Sequence, residues 1–224
     1  MKLLAFDTAT DACTAALSLD GQVLERFERR SQHSEHLLTM IDALLAEAGL
    51  RIQQLDAIAF GRGPGSFTGL RIGAGVAQGL AFACDLPVLP VSSLAALAQG
   101  VDAGQVLAAL DARMQQVYWG AYTRNAQGLV VPRLSEVVIN PEAVTPPEGQ
   151  GWIGVGSGWD AYGDMLASRS GSALARWLPD IVPQARHLAA LAAAAFRDGL
   201  AVSADQAQPV YVRDDVAVKR RGPA

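Results

Sequence analysis

The sequence predicts an α/β fold built from two related lobes. Three observations carry that expectation. An apolar run ending in an aspartate occurs twice, as KLLAFD at 2–7 and as VLAALD at 106–111. Each is followed by a second strand-like run, a turn containing glycine, and a third run. Between these groups, apolar residues fall at helical spacing, so strands and helices alternate along the chain. Recurrence after about a hundred residues is the mark of an internal repeat, and the expected division is 1–102 and 103–224, the second lobe being less regular.

KLLAFD is apolar on both faces and reads as a buried strand. TAALSLDGQVLERFERR folds back on itself at Asp20-Gly21, where glycine accepts a positive φ. In SEHLLTMIDALLAEAGL, residues Leu37, Leu38, Ile41, Leu44, Leu45 and Ala48 lie at helical spacing and Gly49 supplies the stop. LDAIAFG is another buried strand, followed by a glycine-rich loop and a helix over 67–84. LPVLPV is a strand, and SSLAALAQG a helix with Ser92 or Ser93 as its N-cap. In the second half VYWGAYTR and LVVPRL flank a turn at Gly128, and NPEAVTPPEGQG is a connection. WIGVGSGWDAYGDML predicts a strand, a glycine turn and a helix start, HLAALAAAAFRDGL a helix, and PVYVR one short strand in the tail.

A chain of 224 residues, half of them hydrophobic, has ample length for a sizeable core. The net charge of −4 argues against gripping nucleic acid unaided, because neutralising phosphates needs clustered Lys and Arg. Cys13 and Cys84 form neither a disulfide framework nor a metal-ligand spacing. MKLLAFDTAT meets Asp7 too early for a signal peptide, and no run is long enough to span a bilayer, so a soluble cytoplasmic protein is expected.

The loop AFGRGPGSFTGLRIG fails both common nucleotide fingerprints. Gly69 is followed by Leu70-Arg71 rather than the Lys-Ser/Thr of a P-loop. Gly61, Gly63 and Gly65 are spaced by two, with Pro64 intervening, which is not a dinucleotide pattern. The loop is either a tight strand-to-helix turn or an anion site at a helix N-terminus formed by Gly63, Gly65 and Ser66. Asp7 and Asp111, at matching strand ends, would suit a hard cation beside a nucleotide, but neither has an evident third acidic partner. His33 and His36 share a helix start without an H-E-x-x-H pattern, and Ser66 does not sit in a G-x-S-x-G elbow. Lys219, Arg220 and Arg221 read as a solvated tail that would assist an RNA contact at most.

The helix over 67–84 is the most informative element. From Ile72 to Cys84 its only strongly polar side chain is Gln78. Ile72, Val76 and Leu80 form one stripe, Gly69, Gly73, Ala77 and Ala81 a second, and Gly75, Gly79 and Ala83 a third. A helix on a soluble core should carry charge on its outer face, so this one is expected to be buried all round. It would be covered either by the helix at 35–48 or, with that helix, by a partner subunit through Leu37, Leu38, Ile41, Leu45, Ile72, Val76 and Leu80.

LLAFDTATDACTAALSLDG, HSEHLLTMIDALL, AFGRGPGSFTGLRIGAGVAQGLAF, ALDARMQQVYWGAY and PVYVR together resemble the TsaB family, formerly called YeaZ. The resemblance runs over nearly the whole chain and is strongest over 1–122. It implies an actin/hexokinase-like (ASKHA) duplicated fold and a non-catalytic role. The family's partner is the paralogous transferase TsaD, which makes threonylcarbamoyladenosine in tRNA, and the ATPase TsaE joins the assembly. TsaD-like chains carry metal ligands in an H-x-x-x-H pattern where this chain has Ser93 and Leu97, and leucine cannot ligate a metal. No cofactor or metal is then required by this chain. Asp7, Gly63, Gly65, Ser66 and Asp111 become a vestigial nucleotide or anion site, with a nucleotide at the subunit boundary and a homodimer through the same helices both compatible. tRNA would be held mainly by the complex. The competing expectation is an independent ATPase or sugar-type kinase using Asp7 and Asp111.

Overall fold

The computed structural model of the chain describes residues 1–29 and 33–213. The side chain of His33, and Lys219, Arg220 and Arg221, lie outside the described residues.

Lys2–Asp7 (β1), Ala12–Leu19 (β2) and Gln22–Arg29 (β3) form an antiparallel meander. Its second turn is Asp20-Gly21, with φ 49° and 98°, the two positive angles that a two-residue hairpin of right-handed twist demands. His33–Ala48 (α1), Ala57–Gly63 (β4), Phe67–Cys84 (α2), Val88–Ser92 (β5) and Ser93–Gln99 (α3) complete the first repeat. β4 and β5 add in parallel, giving the order β3-β2-β1-β4-β5. Ser92 caps α3, its hydroxyl accepting from the Ala95 amide at 3.1 Å, which decides between the two candidate serines.

The second repeat uses the same scheme. Gln105–Asp111 (β6), Val117–Arg124 (β7) and Val130–Pro132 (β8) form a meander, with Val137–Ile139 (β9) also paired to β7. Trp152–Val155 (β10) and Leu174–Leu178 (β11) add in parallel, separated by Ser157–Ser170 (α4), and Ala185–Arg197 (α5) follows. Read from β8, the order β8-β7-β6-β10-β11 reproduces that of the first sheet. The counterpart of α1 is missing: between β9 and β10 lie a single 3-10 turn, Pro141–Ala143, and the segment TPPEGQG, whose prolines cannot sustain a helix. The tail PVYVR, expected to be a short strand, runs without strand pairing apart from one bond from the Val210 amide to the Arg62 carbonyl at 2.8 Å.

The boundary at 102/103 divides the two sheets but not the two cores. α1 and α2 cover one face of the first sheet, while α5, from the second half, covers the other with Leu188, Ala189 and Ala192 against Leu3, Ala5, Ala59 and Leu89. In return α3, from the first half, lays Leu94, Leu97 and Ala98 on β6 and β7 of the second sheet. The two crossing helices pack on each other between the sheets. Residues 202–207 also return to the first lobe: Val202 bridges to Val88, and the Gln78 amide donates to the Ala207 carbonyl at 3.0 Å. α4 covers the far face of the second sheet, with Trp119, Trp152 and Trp159 as its bulk.

α2 is not buried all round. Its three stripes have three fates. Gly69, Gly73, Ala77 and Ala81 turn inward, Ile72, Val76 and Leu80 lie half-buried beside the first core, and Gly75, Gly79 and Ala83 face outward. Phe82, on the same outer side, is 86% exposed. The inward glycines have a reason: a Cβ at Gly69 would stand 1.9 Å from the Thr8 carbonyl oxygen. The outward ones have none within the described residues, since a Cβ at Gly75 or Gly79 would meet nothing within 4 Å. Gly69→Ala is therefore expected to destabilise the isolated chain by about 1–3 kcal/mol. Gly75→Ala is expected to stabilise it by about 0.5–1 kcal/mol, since alanine relieves glycine's helix penalty. Urea unfolding of the two variants reads both signs.

Candidate functional site

The glycine loop is shaped by the end of β1. Asp7 is 1% exposed. Its Oδ1 accepts from the Ala9 amide at 2.7 Å and its Oδ2 accepts from the Ser93 hydroxyl at 2.5 Å. A Cβ at Gly61 would lie 1.8 Å from that Oδ2, and one at Gly65 would lie 2.3 Å from the Ala9 carbonyl oxygen. The loop thus seals over the Asp7–Ala9 turn. Gly63 takes φ 98° beside the Leu70 side chain, and the Ser66 hydroxyl caps α2 by accepting from the Gly69 amide at 3.4 Å.

Beyond this seal lies a cavity of about 730 Å³ between the lobes. Gly65, Ser66 and Asp111 line it, whereas Asp7 and Gly63 do not. The two repeat-related aspartates have therefore parted. Asp7 is enclosed, and Asp111 faces the cavity, where its carboxylate accepts from the Arg113 amide at 2.8 Å and from the Arg113 guanidinium at 3.0 Å. The Asp111 amide donates to the Ser157 hydroxyl at 3.1 Å, tying β6 to the start of α4. Arg113, Met114 and Gln115 follow with φ of 60°, 53° and 58°. Three successive non-glycine residues in the left-handed region cost roughly 1–2 kcal/mol each. Sequence gives no sign of this turn, because ARMQQ contains neither glycine nor asparagine. It also gives no sign that Val210 to Arg213 form part of the cavity wall.

The remaining candidates separate cleanly. Leu97 is fully buried in the second lobe's core and Ser93 donates its hydroxyl to Asp7, so neither residue is placed to join a metal centre. His36 Nδ1 lies 3.3 Å from Glu28 Oε2 of β3. Among the described residues no group of three or more His, Cys, Asp or Glu is placed to hold a metal. Burial, reinforced by Glu28 and Asp7, pushes the Cys13 thiol up to about 11, which leaves it unreactive. Of the seven residues expected at a partner face, Leu37, Ile41 and Leu45 point into the first core instead. Leu38 is 47% exposed, and Ile72, Val76 and Leu80 lie at the margin. Helical spacing placed all seven on one apolar helix pair; one residue of rotation separates the buried Leu37 from the outward Leu38. No helix among the described residues is long and apolar enough to cross a membrane.

The Ser93 hydroxyl is spent on a buried carboxylate, so Ser93→Ala is expected to cost about 1–3 kcal/mol of stability by withdrawing a charge-assisted donor. Chemical denaturation of the variant measures it; a cost below about 0.5 kcal/mol would mean that Asp7 is held by its other contacts.

Comparison with known proteins fits this doubled α/β architecture. The profile of the family described as "TsaD: tRNA N6-adenosine threonylcarbamoyltransferase" matches residues 28–220. The chain is 42% identical over 228 residues to the tRNA threonylcarbamoyladenosine biosynthesis protein TsaB of Escherichia coli (strain K12), covering 98% of each. It is 39% identical to the protein of the same name from Haemophilus influenzae, covering 98% of this chain and 97% of that one. Among solved structures, YeaZ from Pseudomonas aeruginosa superposes with a TM-score of 0.88 at 45% identity, over 94% of this chain and 99% of that one. With its two sheets of matching order, the chain belongs to the TsaB (YeaZ) family.

Proposed function

We propose that the chain is a non-catalytic subunit of the machinery that makes threonylcarbamoyladenosine in tRNA, and that it binds and activates a TsaD-like transferase through the outer face of α1 and α2. The observation that carries this reading is that outer face. Gly75 and Gly79 open onto empty space, Phe82 and Leu38 are exposed, and Arg71 is the only charged residue along α2. Two solvent-facing glycines in mid-helix cost roughly 1 kcal/mol each, with nothing among the described residues to offset them. A partner helix lying across them at close range would supply the compensation. Leu38, Ile72, Val76 and Leu80 border that track, while Leu37, Ile41 and Leu45 support it from inside.

A transferase subunit built on the same duplicated fold presents a similar helix pair, so the contact would be pseudo-symmetric, and in its absence the same face would serve a homodimer. A TsaE-like ATPase completes the assembly, which acts in the cytoplasm and holds tRNA chiefly through the transferase. The absence of a catalytic role is supported by the enclosure of Asp7 by Ser93 and by Leu97 sitting in apolar packing. No cofactor is assigned to this chain, and a nucleotide at the subunit boundary remains compatible with the cleft. One observation favours the competing reading of an independent ATPase or kinase: Asp111, Ser66 and Ser157 do line a cavity.

The test is reconstitution of threonylcarbamoyl transfer with the TsaD and TsaE of the same organism. Activity is expected to require this chain, while the chain alone hydrolyses no ATP. Transfer at full rate without it, or Mg-dependent hydrolysis by the isolated chain that Asp111→Ala abolishes, would overturn the proposal. Gly75→Leu is expected to weaken association with TsaD by about ten-fold or more while leaving the isolated chain folded.

A further inference from the structure

The segment Val210–Arg213 crosses from the wall of the cleft formed by the first lobe to the wall formed by the second. At its start, the Val210 amide donates to the Arg62 carbonyl at 2.8 Å, and Gly63 leaves room for it: a Cβ there would stand 3.2 Å from the Val210 carbonyl oxygen. Next, the Tyr211 ring lies 5.6 Å from the Phe67 ring at 41°. The Arg71 guanidinium sits over Phe67 at 3.8 Å, and its Nε donates to the Tyr211 hydroxyl at 3.3 Å. Tyr211 therefore grips the first turn of α2. Two residues later Arg213 reaches the opposite wall. Its Nη2 donates to the Ala112 carbonyl at 3.1 Å and to Gln116 Oε1 at 2.7 Å, and its Nη1 approaches Met114 Sδ at 3.4 Å.

These last contacts bracket the left-handed turn at Arg113–Gln115. Among the described residues, two bonds between backbone groups close the turn, the Ala112 amide to the Gln116 carbonyl at 2.9 Å and the Gln116 amide to the Arg113 carbonyl at 3.0 Å, and the Arg113 amide donates to Asp111 Oδ1 at 2.8 Å. Three L-residues in a sparsely populated conformation persist only where their surroundings over-determine them. A planar guanidinium with fixed donors on both ends of the turn is such a surrounding. Two residues of chain span at most about 7 Å, which keeps the contacts of Tyr211 and those of Arg213 within a short reach of each other.

We propose that Val210–Arg213 is an inter-lobe strap that couples the first turn of α2 to the left-handed turn at Arg113–Gln115, so that the state of one wall of the cleft is transmitted to the other. Phe67 and Arg71 lie on the exposed side of α2, which makes the strap the route by which anything covering that helix would reshape the cleft. The coupling itself is a property of the chain alone and stands apart from the identity of the partner.

Amide hydrogen exchange on the full chain tests it, read at Ala112 and Gln116, with Ala108 and Gly120 in the β6–β7 ladder reporting that the fold is intact. Arg213→Gln is expected to speed exchange at Ala112 and Gln116 by about ten-fold or more, and Phe67→Ala by about five-fold, with the ladder amides unchanged. The Phe67→Ala effect should vanish in a background already carrying Tyr211→Ala, since both cut the same strap. Tyr211→Phe keeps the ring and removes the hydroxyl, and is expected to give an intermediate increase; it reports on the coupling if a larger truncation unfolds the chain. Exchange at both amides within two-fold of the parent in Arg213→Gln would overturn the proposal. So would Phe67→Ala and Tyr211→Ala effects that simply add, or an unchanged turn in Phe67→Ala.

Discussion

The close approach of the glycine loop to the end of β1 sets the geometry of the rest. Gly61 lies against the Asp7 carboxylate, Gly65 against the Ala9 carbonyl, Gly69 against the Thr8 carbonyl and Gly73 against the Thr8 hydroxyl, each at a distance that excludes a side chain. Hydrogen bonds complete the seam: the Ser66 amide to the Ala9 carbonyl, and the Thr8 hydroxyl to the Gly69 carbonyl, both at 2.7 Å. This seam fixes the axis of α2 relative to the first sheet. Once that axis is fixed, the first turn of α2 becomes a wall of the cleft, and the opposite side of the helix becomes a surface.

The duplication explains why two aspartates look alike in sequence and behave differently in the structure. Each ends the first strand of its sheet. In the first repeat the loop after β4 closes down on the carboxylate and α3 brings Ser93 to it. In the second repeat the loop after β10 packs elsewhere: a Cβ at Gly156 would meet the Ala109 carbonyl oxygen at 2.4 Å, and Asp111 is left to Arg113 and the cavity. The exchange of α3 and α5 between the lobes makes the two halves one cooperative body, since neither sheet is covered on both faces by its own repeat. The linker between them is held as well: Arg124 donates to the carbonyls of Gln99, Val101 and Ala103.

Much of the fold was legible because burial and capping leave local marks. The runs at 2–7 and 106–111, the Asp20-Gly21 turn and the helix at 67–84 all follow from apolar run length, glycine and serine. What periodicity cannot tell is whether an apolar face is covered by its own chain. That is why α2 read as buried on every side, and why Leu37, Ile41 and Leu45 read as candidates beside Leu38, the one of the four that points outward. β11 escaped because ARW interrupts its apolar pattern, leaving Ala175, Arg176 and Trp177 exposed. The left-handed turn escaped because no glycine or asparagine marks it and one of its braces, Arg213, lies a hundred residues away in sequence.

The glycines of α2 thus do two separable jobs. Those facing inward are fixed by the seam with β1, and the fold of the isolated chain depends on them. Those facing outward weaken the isolated helix and help nothing in the described residues. A marginally stable fold that retains such a weakness gains from any partner that binds only the folded form, because association then adds to folding stability in proportion to how far the partner's concentration exceeds its dissociation constant. On the proposed reading, the outer face of α2 is a part of the core that a partner completes. The strap at its first turn lies where completing that core would be felt in the cleft.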